Sequence, residues 1–178
     1  MAAFRWEIPA RFNMGRDVAD RHGAALALIE IAASGQTREF RFDEISGLSN
    51  RLANVLVARG VRRGDRVAIL LPQRHETAMA HVAAWKAGMI SVPLFTLFGE
   101  EALEFRLQNS GAAALITDRE QLPKLAKLRD RLPELKTILC VDGEGEGALD
   151  LHALLAQASD RFAAVDTDAE EPALIIYT

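Results

Sequence analysis

Short apolar runs alternate with amphipathic stretches along most of the chain. Continuous apolar runs bounded by turn residues are typical of parallel strands that are covered on both faces. The stretches between them repeat apolar residues at helical spacing. The pattern therefore predicts an α/β fold, a largely parallel sheet with right-handed crossovers and helices on both faces. The predicted strands are 66–71, 89–94, 112–117, 136–141 and 173–178, and the predicted helices between them are 75–87, 100–110, 120–132 and 149–159.

The region before residue 60 follows a different pattern. "ALALIEI" at 25–31 and "REFRF" at 38–42 flank the turn cluster "SGQT", which predicts an N-terminal strand pair. A helix should follow, with Asp43 as its N-cap residue. Gly60 stands where a glycine commonly ends a helix.

Composition narrows the class of protein. The chain has 178 residues and a formal net charge of −4, which suits one domain or one lobe of a larger protein. The absence of a basic stripe disfavours a nucleic-acid partner. The absence of an apolar run of about 18 residues predicts no membrane span. The first residues lack the layout of a signal peptide, so we expect a cytoplasmic location.

Several residues suggest chemistry that their surroundings disfavour. The single cysteine, Cys140, lies in the apolar run "KTILCV" and is expected to be a buried core thiol. The glycines of "DGEGEGALD" at 142–150 do not match a dinucleotide-binding fingerprint, and its acidic residues would repel phosphate, so we expect a surface loop. His75 and His81 do not share a helical face, and no cluster has the spacing of metal ligands. No metal site is therefore predicted.

For two other pairs of residues, the sequence allows two interpretations each. Phe95 and Phe98 follow the predicted strand 89–94, where they either line a ligand channel or cover the edge of the sheet. Lys124 and Lys127 share a face of a predicted helix, which is either solvated or an anion site.

The order of several motifs resembles one family. "FDEISGLSNRLANVL", "GDRVAILLP", "AAWKAGMISVPL" and "EALEFRLQNSGAAALIT" are similar to successive motifs in the N-terminal part of adenylate-forming (AMP-binding) enzymes. The resemblance is close over 40–118 and looser over 119–172. "VPLFTLFGEEALEFRL" is most like the acyl-CoA synthetases, or acid-CoA ligases.

The resemblance implies a role for the last residue. In this family "ALIIYT" is followed by a Ser-Gly-Thr-Thr-Gly loop whose backbone N–H groups hold the ATP phosphates. Thr178 would be the first residue of that loop. Residues 1–178 would then be an incomplete N-terminal part of the synthetase domain, a truncated lobe that ends at the start of the phosphate loop.

The resemblance also implies a reaction for the complete enzyme. With ATP and Mg²⁺, a small-molecule carboxylic acid would form an acyl-adenylate, and CoA would then take the acyl group as a thioester. Lys124 and Lys127 look like counterparts of two basic residues that contact CoA in acetyl-CoA synthetases. The resemblance assigns no catalytic residue to this chain, so we expect the chain alone to be inactive.

Other interpretations stay open at this point. The chain could be a free-standing, non-catalytic α/β interaction module or a small nucleotide-binding protein. If it is a lobe, its exposed apolar surfaces should cause self-association, with residues 25–42 or 173–178 near the contact. The sequence does not indicate which carboxylic acid would be the substrate.

Overall fold

A five-stranded parallel sheet and a separate antiparallel strand pair form the framework of the computed structural model, which describes residues 5–32 and 34–178. The expected absence of a leader rests partly on residues 1–4, which lie outside the described residues. The strands are β1 (Leu26–Ile31), β2 (Thr37–Arg41), β3 (Arg66–Leu70), β4 (Ile90–Pro93), β5 (Ala112–Thr117), β6 (Thr137–Cys140) and β7 (Leu149–Asp150). The helices are α1 (Met14–Ala19), α2 (Phe42–Ala58), α3 (His75–Lys86), α4 (Glu100–Ser110), α5 (Leu122–Leu128) and α6 (Leu151–Gln157).

The parallel sheet has the strand order β4-β3-β5-β6-β7 and is covered on both faces. Side chains on successive residues of a strand point to opposite faces. Val67 and Ile69 of β3 therefore pack against α2, α3 and α6, whereas Ala68 and Leu70 pack against α4 and α5. This arrangement confirms the predicted α/β fold, and the pairing of β1 with β2 confirms the N-terminal strand pair.

The start of α2 differs from the prediction. The helix begins at Phe42, so Asp43 lies in its first turn and is not the N-cap residue. Arg41 is the N-cap, and its backbone N–H donates to the Glu44 carboxylate at 2.9 Å. Pairing of β2 with β1 continues as far as Arg41, so the helix can begin only after it. Gly60 has a φ of +82° just beyond the helix, as a C′ glycine should.

The short helix α1 was not predicted. Its N-cap residue is Asn13, whose side-chain oxygen accepts a hydrogen bond from the backbone of Arg16 at 2.9 Å. The Asn13 amide also donates to the carbonyls of Trp85 and Val165, both at 2.9 Å. These bonds join α1 to the end of α3 and to the chain that follows α6.

Two other predicted helices differ in detail. The helix predicted for 120–132 is divided into α5 and two flanking 3₁₀ turns, Arg119–Gln121 and Arg129–Arg131. The helix predicted for 149–159 starts as strand β7, and α6 follows with Asp150 as its N-cap.

The predicted strand 173–178 is not a regular strand. It makes a single parallel bridge, between Leu174 and Ser91 of β4. Ser91 donates its N–H to the Ala173 carbonyl and accepts from the N–H of Ile175, both at 3.0 Å. The next bond of a parallel ladder would need an N–H on Pro93, and proline has none. The pairing therefore stops after one bridge.

None of the helices within 5–32 and 34–178 is long and apolar enough to cross a membrane.

Candidate functional site

A cavity of about 690 Å³ lies at the carboxyl ends of β3 and β4. Its walls come from the hairpin strand β1, the first turns of α3, the loop after β4 and the segment 176–177. In open α/β sheets, ligands bind outside the carboxyl ends of the strands, and pockets of 300–1,000 Å³ are typical ligand sites. The apolar residues that line the cavity are Leu28, Ile29, Ile31, Ile69, Leu71, Ala78, Pro93, Leu94, Phe95, Phe98 and Ile176.

The two aromatic residues after β4 both line this cavity. Their rings meet edge to face with centroids 5.5 Å apart. The Arg106 guanidinium lies 4.1 Å above the Phe98 ring. Phe98 is therefore packed against α4, whereas Phe95 is largely exposed at the mouth of the cavity. The geometry thus combines the two interpretations that the sequence allowed.

A cluster of charged side chains surrounds the first residues of α3. Glu76 is almost fully buried and accepts two hydrogen bonds from Arg74, at 2.7 and 3.0 Å. His152 of α6 contacts the same carboxylate at 3.2 Å. Burial raises the pKa of Glu76, but the hydrogen bonds from Arg74 and the nearby positive charge outweigh it, and the pKa is lowered overall. The carboxylate is therefore ionised at neutral pH.

Glu30 of β1 completes this cluster from the opposite wall. Its carboxylate accepts the backbone N–H of His75 at 3.2 Å and lies 3.1 Å from the His75 ring nitrogen Nδ1. Free backbone N–H groups at the start of a helix favour such a carboxylate partner. Glu30 therefore attaches the hairpin to the start of α3.

The donor atoms of Glu30, His75 and Glu76 lie within 4.8 Å of one another, close enough to hold a cation. No local spacing predicts this group, because Glu30 is 45 residues away from His75 in the chain. Arg74 already occupies both oxygens of Glu76, and the positive end of the α3 dipole opposes a cation. The arrangement is that of an ion-pair cluster.

A second polar network lies at the side of the cavity next to β4. Ser91 is fully buried, and its hydroxyl oxygen lies 3.0 Å from both His81 Nδ1 and Trp85 Nε1. Trp85 Nε1 also donates to the Ala173 carbonyl at 2.9 Å. Burial lowers the pKa of His81, so its ring is neutral at pH 7. The network joins α3, β4 and the last segment of the chain.

The structure places Thr178 at the carboxyl end of this last segment, beside the cavity. Ile176 and Tyr177 line the cavity, and the Tyr177 hydroxyl is 2.8 Å from the Asn109 side chain of α4. Thr178 itself is exposed. A chain that continued from this point would start at the edge of the sheet where ligands bind.

The two lysines of α5 are not equivalent. The Lys124 ammonium donates to the carbonyls of Thr96 and Phe98 at 2.9 and 3.3 Å and to the Gln121 side chain at 2.9 Å. It therefore holds the loop after β4. Lys127 is largely exposed and pairs with Glu100 at 2.6 Å. The two side chains share the helix but contact different neighbours.

The remaining candidates lie away from the cavity. Cys140 is fully buried in β6, and burial raises the pKa of its thiol, as expected for a core cysteine. The loop that begins at Asp142 is bound to Arg119, whose backbone N–H donates to the Asp142 carboxylate at 3.0 Å. The Arg119 guanidinium also donates to the Asp142 carbonyl and lies beside Gly143 and Gly145.

Comparisons with known proteins agree with this arrangement. The chain matches the family described as AMP-binding enzyme over residues 15–178. An acyl-CoA synthetase from Brucella canis has a similar structure, with a TM-score of 0.88 and 28% identity, covering 98% of this chain and 33% of that one. The ATP-bound MatB of Rhodopseudomonas palustris superposes with a TM-score of 0.77 and 28% identity, covering 93% of this chain and 32% of that one.

A curated relative is also named as an acyl-coenzyme A synthetase. The mitochondrial acyl-coenzyme A synthetase ACSM2 of Rattus norvegicus is 34% identical over 184 residues, which cover 97% of this chain and 32% of that protein. The chain thus spans about one third of the length of the relatives that it matches. The fold and the match show that this α/β chain belongs to the AMP-binding enzyme family.

Proposed function

We propose that this chain is the N-terminal part of an ATP-dependent acid-CoA ligase. The observation that carries the proposal is the family match, which extends to Thr178 at the end of a segment docked beside the cavity. In the first step, an oxygen of the substrate carboxylate attacks the α-phosphorus of ATP, the bond to the β-phosphate breaks, and pyrophosphate leaves. In the second step, the CoA thiol attacks the acyl carbon, which gives the thioester and AMP.

In this proposal Thr178 is the first residue of the loop that holds the ATP phosphates. Residues 1–178 then form part of one AMP-binding domain and provide the scaffold that presents this loop. Mg²⁺ would neutralise charge on the phosphates, a function for which backbone N–H groups and metal ions are generally used. In this proposal the residues described above position the phosphate loop and take no part in the bond-making steps.

The test uses the protein expressed with the coding sequence that follows Thr178. We expect pyrophosphate release that requires ATP, Mg²⁺ and a carboxylic acid, and thioester formation when CoA is added. A panel of short-chain, medium-chain and aromatic acids would identify the substrate class. Absence of acid-dependent pyrophosphate release across the panel would contradict the proposal.

Residues 1–178 alone should catalyse neither step. The charged cluster at α3 is internally paired, and Cys140 is buried and neutral. Incubation of the chain with ATP, Mg²⁺ and the same acids should release no pyrophosphate above a heat-inactivated sample. Clear release would show that the chain holds catalytic groups that this assignment omits.

The two lysines that we propose as CoA contacts differ in how readily their ammonium groups can reach a phosphate. Lys127 is exposed and has one carboxylate partner, so its ammonium can turn to a phosphate of CoA. Lys124 must first release the loop carbonyls that it holds. In the longer enzyme, Lys127→Met should raise the KM for CoA severalfold and leave adenylate formation unchanged. Lys124→Met should also disturb the loop after β4. An unchanged KM for CoA in both variants would contradict the proposed contacts.

We also propose a cytoplasmic location and self-association of the chain. The names of the mammalian relatives give a mitochondrial location for those proteins, so cell fractionation is the appropriate test of the first point. Self-association would depend on the apolar surface around the cavity.

A further inference from the structure

Ser91 lies at the centre of the contacts that hold the last segment of the chain. Its backbone N–H donates to the Ala173 carbonyl, and its carbonyl accepts from Ile175, both at 3.0 Å. Its hydroxyl oxygen lies 3.0 Å from His81 Nδ1, 3.0 Å from Trp85 Nε1 and 3.4 Å from the Ala173 carbonyl. The backbone of this buried residue thus bonds the segment directly, and its hydroxyl contacts the Trp85 indole, which itself bonds Ala173.

The hydrogen bonds of this group can be assigned from its donors and acceptors. The Ala173 carbonyl already accepts the N–H of Ser91 and that of Trp85, at 3.0 and 2.9 Å. A carbonyl oxygen has two lone pairs, so these two donors saturate it. The Ser91 hydroxyl then donates to Nδ1 of a neutral His81. The single indole N–H of Trp85 is shared between the Ala173 carbonyl and the Ser91 hydroxyl oxygen. Every polar atom in the group has a partner, as a buried network requires.

Few backbone hydrogen bonds attach this segment to the sheet, whereas Ile175 and Tyr177 pack against the core on the inner side. Within the described part of the chain, the two bonds made by Ser91 are the backbone hydrogen bonds between residues 173–178 and the sheet. Pro93 cannot extend the ladder. Leu174 and Ile176 are substantially exposed, so burial of apolar surface contributes little on that side.

We propose that Ser91, together with Trp85 and His81, positions the segment 173–177 on β4 and so fixes the place of Thr178. We call this group the Ser91 clamp. The inference rests on the proposed function, in which Thr178 begins the ATP phosphate loop. Ser91 is a positioning residue here, because it acts through the segment and touches neither substrate nor nucleotide.

The first test uses hydrogen exchange on residues 1–178. Ser91→Ala removes the hydroxyl that contacts Trp85 and His81, and Trp85→Phe removes the indole N–H that bonds Ala173. Both variants keep most of the packing. We expect the amide of Ile175 to exchange about tenfold faster in each variant, the effect of losing one buried hydrogen bond. The amide of Leu115 in the central strand should exchange as in the wild type.

Ser110→Ala is the matched control. Ser110 is also a buried serine, but its hydroxyl bonds the carbonyl of Leu107 in its own helix at 3.3 Å. Its removal should leave the exchange of Ile175 unchanged. Unchanged exchange of Ile175 in both clamp variants would overturn the inference. Equal acceleration at Ile175 and Leu115 would also overturn it, because the effect would then be global.

The second test uses the longer enzyme. Ser91→Ala should raise the KM for ATP at least fivefold, because an unfixed phosphate loop binds phosphates less well, and leave the KM for the carboxylic acid unchanged. A wild-type enzyme without ATP-dependent activity would overturn the proposed function. An active wild type with an unchanged KM for ATP in Ser91→Ala would overturn the positioning role alone.

Discussion

Glu76 shows how a single residue joins several elements of the structure. Its buried carboxylate binds Arg74 through two hydrogen bonds and contacts His152 of α6. Removal of one partner from such a pair leaves the other charge uncompensated, which costs more than the pair itself contributes. Glu76→Gln should therefore lower the free energy of unfolding by about 2–4 kcal/mol, since Arg74 keeps some contact with water. Urea denaturation measures this change.

Glu104→Gln is the control for that prediction. Glu104 pairs with Arg131 at 2.7 Å, but the arginine is about half exposed. Exposed ion pairs contribute roughly 0–1 kcal/mol, so this variant should remain within about 1 kcal/mol of the wild type. Equal losses of unfolding free energy in the two variants would show that the buried cluster at α3 stabilises the fold no more than an exposed ion pair does.

His81 makes the stability of the lobe depend on pH. Burial lowers the pKa of its ring below the ordinary value of 6.5. Above pH 6.5 the ring is neutral in both the folded and the unfolded chain, and its contribution to stability is fully present. As the pH falls below 6.5, the unfolded chain takes up the proton first, so stability decreases until the folded ring is also protonated.

The measurement is the urea midpoint between pH 7.5 and pH 5. The wild type should lose stability over this interval. His81→Asn keeps a polar atom near Ser91 but does not titrate, so its stability should change less with pH. Glu76 has a lowered pKa, and its contribution is lost only in more acidic solution, below its ordinary value of about 4.5. If the stability of the wild type and that of His81→Asn changed with pH in the same way, His81 would not be the source of the pH dependence.

At the scale of elements, the packing of α1 on α3 depends on a glycine. A Cβ on Gly15 would lie 2.6 Å from the backbone nitrogen of Lys86 and 2.7 Å from the Val82 carbonyl. Both are backbone atoms of α3, so α1 would have to move away. Gly15→Ala should therefore cost about 1–3 kcal/mol, as for other overpacked sites, in thermal or urea denaturation.

Gly47→Ala is a suitable comparison. Gly47 lies within α2, and a Cβ there would meet nothing within 4 Å. Alanine is the better helix former by about 0.5–1 kcal/mol, so this variant should be as stable as the wild type or more stable. A loss of stability in Gly15→Ala together with a gain in Gly47→Ala would support close packing of α1 on α3. Equal gains would exclude it.

The helices and strands differ in how well the sequence predicts their bounds. Periodicity predicted α4 and β5 with their observed bounds, because each has one period and clear turn residues at its ends. It missed α1, since a helix of six residues is too short to show a repeat. It also extended the last strand, because an apolar run carries no information about the missing N–H of a neighbouring proline.

The candidate site was less predictable, for a related reason. Phe95 and Phe98 could be placed after the carboxyl end of β4 from local patterns alone, whereas the role proposed for Thr178 came from the family resemblance. Glu30 and His75 meet across 45 residues, and Ser91 reaches Ala173 across 82. Such contacts follow from how the hairpin and the last segment dock on the sheet. A single sequence does not encode that docking in any local spacing.

At the scale of the whole molecule, the mouth of the cavity is an exposed apolar surface. Ile29, Ile31, Phe95 and Ile176 all line the cavity, and each is at least 50% exposed. Apolar patches of this kind usually mark a surface that another molecule covers. Two of these residues lie in the hairpin and one in the segment 173–178, where we expect the contact between copies of the chain.

Residues 1–178 should therefore sediment as dimers or larger species at high concentration. Ile31→Ser combined with Ile176→Ser removes apolar surface from both sides of the mouth and should shift the protein towards monomer. Val57→Ser is the control, because Val57 is a half-exposed apolar residue on α2 that does not line the cavity. It should leave the association unchanged. A wild type that remains monomeric across the concentration range would contradict this surface as a self-contact, since both variants would then have nothing to disrupt.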